Sequence, residues 1–158
     1  MINPFNDEYF MKQALNEANI AFEANEIPIG VVIVAKQQII ARSHNRTEQL
    51  NDVTAHAEIQ AIRHASQHEQ SISLQGATLI ASGEPCALCY MAILLAKISR
   101  LVILADRHEA KAHGFDYLWT YDNFNSNSLG QLTVLKLDTD RNTLPFRLCQ
   151  VRMEETGL

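Results

Sequence analysis

Two short stretches carry the residues best suited to chemistry. One is His56-Ala57-Glu58; the other is Pro85-Cys86-Ala87-Leu88-Cys89, after 26 intervening residues. One imidazole and two thiolates form a donor set that zinc favours, and three protein ligands leave one tetrahedral corner open. That is the catalytic arrangement, since structural zinc sites are usually closed by four. An open zinc ion lowers the pKa of bound water from about 15.7 to roughly 7. Two thiolates soften the charge of the ion, so a base beside it is needed. Glu58 is the candidate to accept a proton from water and pass it on.

Each stretch alone is weak. His-x-Glu pairs are common on surface helices, and Cys-x-x-Cys after a strand also fits a redox dithiol or half of a closed zinc site. Cys149 as a fourth ligand would make the site structural, although a lone cysteine is more often a small buried hydrophobe. The histidines at 44, 64, 68, 108 and 113 are read as surface or local packing residues. Asn45 is either a turn residue or a group reaching the same cleft.

The elements that position these residues follow from periodicity. Met11, Ala14, Leu15, Ala18, Ala21 and Phe22 recur at helical steps and predict a first helix over 7–24. The β-branched run 29–34 reads as a strand covered on both faces, followed by a turn at 36–38 and a returning strand at 39–42. Thr54 is the expected N-cap of a helix over 55–67. A strand at 77–81 leads through Pro85, expected at the first helical position, into a helix over 86–97. Further elements are a strand at 101–105, a short helix at 107–112, an Asn/Ser-rich loop at 122–130, a strand at 132–137 and an ending at 144–151 that the pattern leaves unassigned.

This order predicts a three-layer α/β/α sandwich, with a mostly parallel five-stranded sheet and one antiparallel strand supplied by an N-terminal hairpin. Both motifs then fall at strand-to-helix turns beyond the carboxyl ends of strands, where ligands bind in such sheets. His56 and Glu58 in one first turn, and Cys86 with Cys89 on one helix face, can converge on a single point.

Bulk properties are compatible with this picture. The 158 residues suit one domain, spanning 1–158, with 47% hydrophobic and 20% charged residues. The net charge of −5 argues against a broad nucleic-acid-binding surface, without excluding a local basic groove. No signal-peptide pattern and no membrane-length apolar run are seen, and the three cysteines do not suggest a secreted disulfide framework. A cytoplasmic location is expected.

At these residues the chain resembles the cytidine-deaminase-like superfamily. The likeness extends to Ile27-Pro28-Ile29-Gly30-Val31-Val32-Ile33-Val34, to Asn45, to Asp52-Val53-Thr54-Ala55-His56-Ala57-Glu58 and to Glu84-Pro85-Cys86-Ala87-Leu88-Cys89. These segments look like the purine-directed branch, which holds small guanine deaminases and tRNA adenosine deaminases. The resemblance implies Zn2+ on His56, Cys86 and Cys89. It implies that Glu58 relays protons to a ring nitrogen and to departing ammonia. Asn45 would hydrogen-bond the purine, with Ile29, Gly30 and Ala57 as further substrate-binding positions. It also implies a homodimer.

Ala112-His113-Gly114-Phe115-Asp116 and Thr143-Leu144-Pro145-Phe146 resemble the guanine deaminases in particular. Asp116 thereby inherits a catalytic, substrate-contacting role; a carboxylate suits the ring N–H and amine of guanine. Guanine deaminases of this type continue past Pro-Phe into an aromatic-containing segment that closes the site, which the end of this sequence does not match. The 122–130 loop is the alternative closure, or the substrate is a related amino-heterocycle. The first expectation is therefore guanine converted to xanthine and ammonia. The second is adenosine-to-inosine editing of tRNA, and the third a non-catalytic zinc-stabilised interaction module.

Overall fold

The chain is described by a computed structural model over residues 4–123 and 132–157. Helix α1 spans Pro4–Glu23, followed by β1 Gly30–Ala35 and β2 Gln38–His44. A short α2 Thr47–Leu50 precedes α3 Ala57–Glu69. Then come β3 Thr78–Gly83, α4 Ala87–Leu95, β4 Arg100–Ala105 and α5 Arg107–Ala112. A 3-10 turn at Leu118–Asn123, β5 Thr133–Lys136 and α6 Leu144–Thr156 complete the described elements. The expected 122–130 loop lies mostly outside the described residues, so its part in closing the site has no structural account.

The five strands form one sheet in the order β2-β1-β3-β4-β5. β1 is antiparallel to both β2 and β3, while β3, β4 and β5 are parallel. Four strands therefore run one way and β1 alone opposes them, as the expected architecture requires. The hairpin turns at Lys36 and Gln37, with φ of 50° and 65°. Two consecutive left-handed residues suit the right-handed strand twist.

The unbroken apolar strands have one physical reason: each face is covered. Val31, Ile33, Leu79, Ala81, Leu101 and Ile103 pack with Ala57, Ala61, Tyr90 and Ile93 of α3 and α4. The alternate residues Val32, Val34, Ile80, Val102 and Leu104 pack with Phe10, Met11 and Ala14 of α1. Period-two alternation thus serves two cores rather than a core and a solvent face.

Gly30 belongs to the second of these packings. A Cβ there would lie 2.0 Å from the Ala14 carbonyl oxygen and 2.3 Å from the Ala18 nitrogen. Its lack of a side chain lets β1 and α1 touch backbone to backbone.

Two helix starts differ from expectation. Thr54 does not cap α3: its amide and hydroxyl both donate to Asp52 Oδ1, at 2.8 and 2.7 Å, closing an Asx turn. His56 occupies the N-cap instead. Likewise Cys86, not Pro85, sits at the boundary of α4, so the proline lies one residue outside the helix. The unassigned ending is a helix, α6, with Pro145 in its first turn.

Candidate active site

Both helix starts lie at the edge where β2 and β3 end. Asn45, immediately after β2, is tied to β1 by its amide on the Ile29 carbonyl at 3.1 Å. Glu84, after β3, is tied to β4 through the Ala105 carbonyl at 2.8 Å. α3 and α4 then begin with extended N-cap residues, His56 (φ −65°, ψ 155°) and Cys86 (φ −71°, ψ 172°). Neither side chain caps its own helix. Both are turned toward one another instead.

His56 Nδ1 lies 3.6 Å from Cys86 Sγ and 3.4 Å from Cys89 Sγ. The two sulfurs are 3.8 Å apart. Tetrahedral zinc with ordinary bond lengths requires edges of about 3.8 Å between sulfurs and roughly 3.5 Å between sulfur and nitrogen. The triangle fits that ion without rearrangement. The sulfur separation is also far too long for a disulfide, and both cysteines are free. Cys149 is not part of the group: among the described residues the metal-sized cluster is His56, Cys86 and Cys89. Cys149 lies beside Phe22, Arg152 and Met153 in a separate groove. A closed four-ligand site with Cys149 is thereby overturned.

Electrostatics favour ligation by thiolate. Hydrogen bonding with Cys89, followed by that with His56, pulls Cys86 down to about 4 despite its burial. Sharing the proton with Cys86, together with burial, pushes Cys89 well up. The two sulfurs are thus shifted in opposite directions, Cys86 toward thiolate and Cys89 toward thiol. The positive ends of α3 and α4 add to this preference. His56 is raised, first by its bond to Cys86, with the Val53 backbone adding to the shift.

Glu58 is buried, with Oε2 3.4 Å from Cys89 Sγ. Burial raises it to about 7, and the Cys86 thiolate adds to the shift. A carboxyl group balanced near neutrality can both accept and return a proton.

His56, Glu58 and Cys86 line a cavity of about 290 Å³, with Cys89 buried behind them. Ile27, Ile29, Asn45, Ala57 and Glu84 form one part of its wall, and Phe115, Asp116 and Tyr117 another. Gly30 is not on this wall, contrary to expectation, because it faces α1. Asn45 is buried and donates through Nδ2 to Glu26 Oε2 at 2.9 Å and to Thr47 Oγ1 at 3.0 Å. Asp116 reaches the wall but also caps the 3-10 turn, accepting from the Leu118 amide at 3.1 Å, and pairs with Lys111 at 3.4 Å.

Several residues of the site had no signal in the sequence. Tyr117 donates to the Glu84 carbonyl at 2.6 Å, and Tyr121 donates to the Pro85 carbonyl. The Glu84 carboxylate accepts from Tyr90 at 2.7 Å and from the Arg107 amide at 2.9 Å. Together they clamp the loop that carries Cys86. Phe115 stacks on Phe146 of α6, with ring centroids 5.0 Å apart, so α6 backs the outer wall. The tyrosines are isolated in the sequence, and their meaning comes from tertiary proximity. Glu84 alone could have been suspected, from its place before Pro-Cys.

Comparison with known proteins agrees with this geometry. The family model for the cytidine and deoxycytidylate deaminase zinc-binding region matches residues 4–105. A tRNA-specific adenosine deaminase of Aquifex aeolicus (strain VF5) is 43% identical over 98 residues, covering 62% of this chain and 65% of that protein. The chain thus spans a little under two thirds of that relative's length. A solved structure from work on A-to-I editing by tRNA:A34 deaminases at the wobble position superposes with a TM-score of 0.75. It is 36% identical and covers 88% of this chain and 99% of that one. A guanine deaminase from Bacillus subtilis gives a TM-score of 0.72 at 30% identity, covering 94% of this chain and 93% of that one.

Proposed function

The chain belongs to the cytidine and deoxycytidylate deaminase zinc-binding family, and on that premise we propose that it deaminates a purine hydrolytically, foremost adenosine in tRNA to inosine. The observation that carries the reaction is the His56–Cys86–Cys89 triangle with the Glu58 carboxyl against it, beside a cavity that His56, Glu58 and Cys86 line. The likeness to tRNA-specific adenosine deaminases supports the choice of substrate over free guanine, which the sequence alone had placed first.

Zinc bound by the three residues supplies a Lewis acid that makes water a stronger acid and nucleophile near neutrality. The remaining work falls to the chain. Glu58 takes the first proton of the attacking water and delivers it to the ring nitrogen beside the amino-bearing carbon, then carries the second, from the hydroxyl now on that carbon, to the departing amine as the carbonyl forms. Burial suits it to this exchange by holding its two protonation states close in energy. Ile29, Ala57 and Phe115 exclude water around the base, and Asn45 orients it. At about 290 Å³ the cavity is at the small end of ligand pockets, so a nucleotide in RNA must turn its base out of the stack to enter.

Free guanine is the second reading, favoured by Asp116 on the wall and by the net charge of −5, which suits a small substrate better than a polyanion. One experiment separates the two. The zinc-loaded protein is offered a tRNA anticodon arm with a single adenosine and, separately, guanine. Inosine in the RNA supports the first reading. Ammonia from guanine alone supports the second, and no product from either discards both.

A homodimer is also proposed. Leu88, Met91 and Leu95 lie at three- and four-residue steps on α4 and are exposed, an apolar stripe fit for pairing. Sedimentation of the wild type decides it: a dimer that Leu95→Glu dissociates supports this surface, and a wild-type monomer ends the idea.

A further inference from the structure

We infer that Glu26 is a positioning residue that sets which face of the Asn45 amide the substrate meets, and so selects ligands that bring a hydrogen-bond donor to that position. The inference rests on the purine reading above but concerns a residue that reading does not use.

Glu26 lies in the segment between α1 and β1 and is almost fully buried, at 4% exposure. Its Oε1 accepts from the Gln49 amide at 2.7 Å. Its Oε2 accepts from Asn45 Nδ2 at 2.9 Å and, more weakly, from Thr47 Oγ1 at 3.4 Å and the Glu48 amide at 3.3 Å. In every one of these bonds the Glu26 carboxyl oxygens accept. Asn45 must therefore turn its nitrogen toward Glu26, and the second Nδ2 proton goes to Thr47. Both amide protons are spent on the protein.

What remains for the cavity is Oδ1. Among the described residues nothing donates to it, and no buried side-chain nitrogen or oxygen lacks a partner. The oxygen is therefore accessible, and the accessible side of Asn45 is the cavity wall. Without a charged partner an asparagine amide can rotate and present either face. With Glu26 behind it, Asn45 is an acceptor and nothing else. The matching group on a ligand is an O–H or N–H: a ribose 2′-hydroxyl if the substrate is adenosine in RNA, a ring N–H if it is guanine.

Replacing Glu26 by glutamine reverses the arrangement. The Gln49 amide still needs an acceptor, so the glutamine oxygen stays there and its Nε2 faces Asn45. Asn45 then turns Oδ1 to that nitrogen and offers N–H to the cavity.

The test compares Glu26→Gln with wild type on paired probes that differ by one donor. The pairs are an anticodon arm with adenosine or 2′-deoxyadenosine at the target, and guanine or 1-methylguanine. In the wild type, losing the relevant donor lowers kcat/KM about tenfold, the scale of one hydrogen bond. In Glu26→Gln the penalty disappears, with zinc content unchanged. An equal penalty in both proteins overturns the inference. Which pair shows the effect identifies the source of the donor. If Glu26→Gln does not fold, or the wild type deaminates none of the probes, NMR of the wild-type Asn45 side-chain amide, assigned by its loss in Asn45→Asp, still decides. Two protons slow to exchange and unmoved by bound 2-aminopurine support the inference; exchange with bulk water in the free protein, or a shift of these protons on binding, refutes it. Absence of turnover thus counts against the purine reading alone.

Discussion

His56 Nδ1 and Cys89 Sγ lie 3.4 Å apart across 33 residues of chain. This proximity arises because β2 and β3 run in the same direction and end at the same edge; β2 leads through α2 into α3, and β3 leads into α4, and the first residues of α3 and α4 turn toward one another. Zinc chemistry is thus a consequence of sheet topology: reversing either strand would separate imidazole from thiolates.

The first prediction concerns the metal. His56→Ala, Cys86→Ala or Cys89→Ala leaves two ligands and an exchangeable ion, whereas Cys149→Ala leaves a full site. Metal analysis after dialysis should give one zinc per chain for wild type and Cys149→Ala and well under one for the other three variants. Zinc retained by Cys86→Ala would contradict the ligand set.

The second concerns protonation of the metal-free protein. The fold lowers Cys86 to about 4 and raises Cys89, so at pH 7 one thiol of the pair is ionised. Because the folded state favours the charged form of Cys86, its contribution to stability is fully present above the unfolded thiol value of 9.0 and is lost as pH falls through about 4. Thiolate absorbance of the folded metal-free protein should correspond to one sulfur between pH 5 and 8 and vanish on unfolding. Two thiolates, or none, at pH 7 would refute the shared proton.

Much of this arrangement was legible in the sequence, and the limits are instructive. The apolar runs of β1, β3 and β4 announced strands covered on both faces, and Pro85-Cys86-x-x-Cys89 with His56-x-Glu58 announced the donor set. What failed depended on local competition or tertiary contact. Thr54 looked like a cap, but Asp52, two residues earlier, captures its hydroxyl. The resemblance put Gly30 with Ile29 in the pocket, yet successive residues of an extended chain face opposite sides and Gly30 meets α1. The clamp of Tyr90, Tyr117 and Tyr121 around Glu84 and Pro85 has no sequence period at all.

The third prediction separates packing from chemistry. Gly30→Ala forces a methyl group into the Ala14 and Ala18 backbone and should destabilise by about 1–3 kcal/mol or more. Phe146→Ala removes a buried ring that supports Phe115 and should cost about 3–5 kcal/mol. Denaturant midpoints check both. Phe146→Ala should also raise KM by loosening the cavity wall, while Gly30→Ala, if folded, should leave KM unchanged; the reverse pattern would place Gly30 at the substrate after all.

The most direct measurement of the central claim is turnover by Glu58→Gln at full zinc occupancy. Glutamine preserves the size and burial of the side chain but cannot carry the proton. The account predicts one zinc per chain, intact binding of a purine analogue, and kcat reduced by roughly 10²–10⁴-fold. A zinc-loaded Glu58→Gln protein that deaminates as fast as the wild type would contradict it.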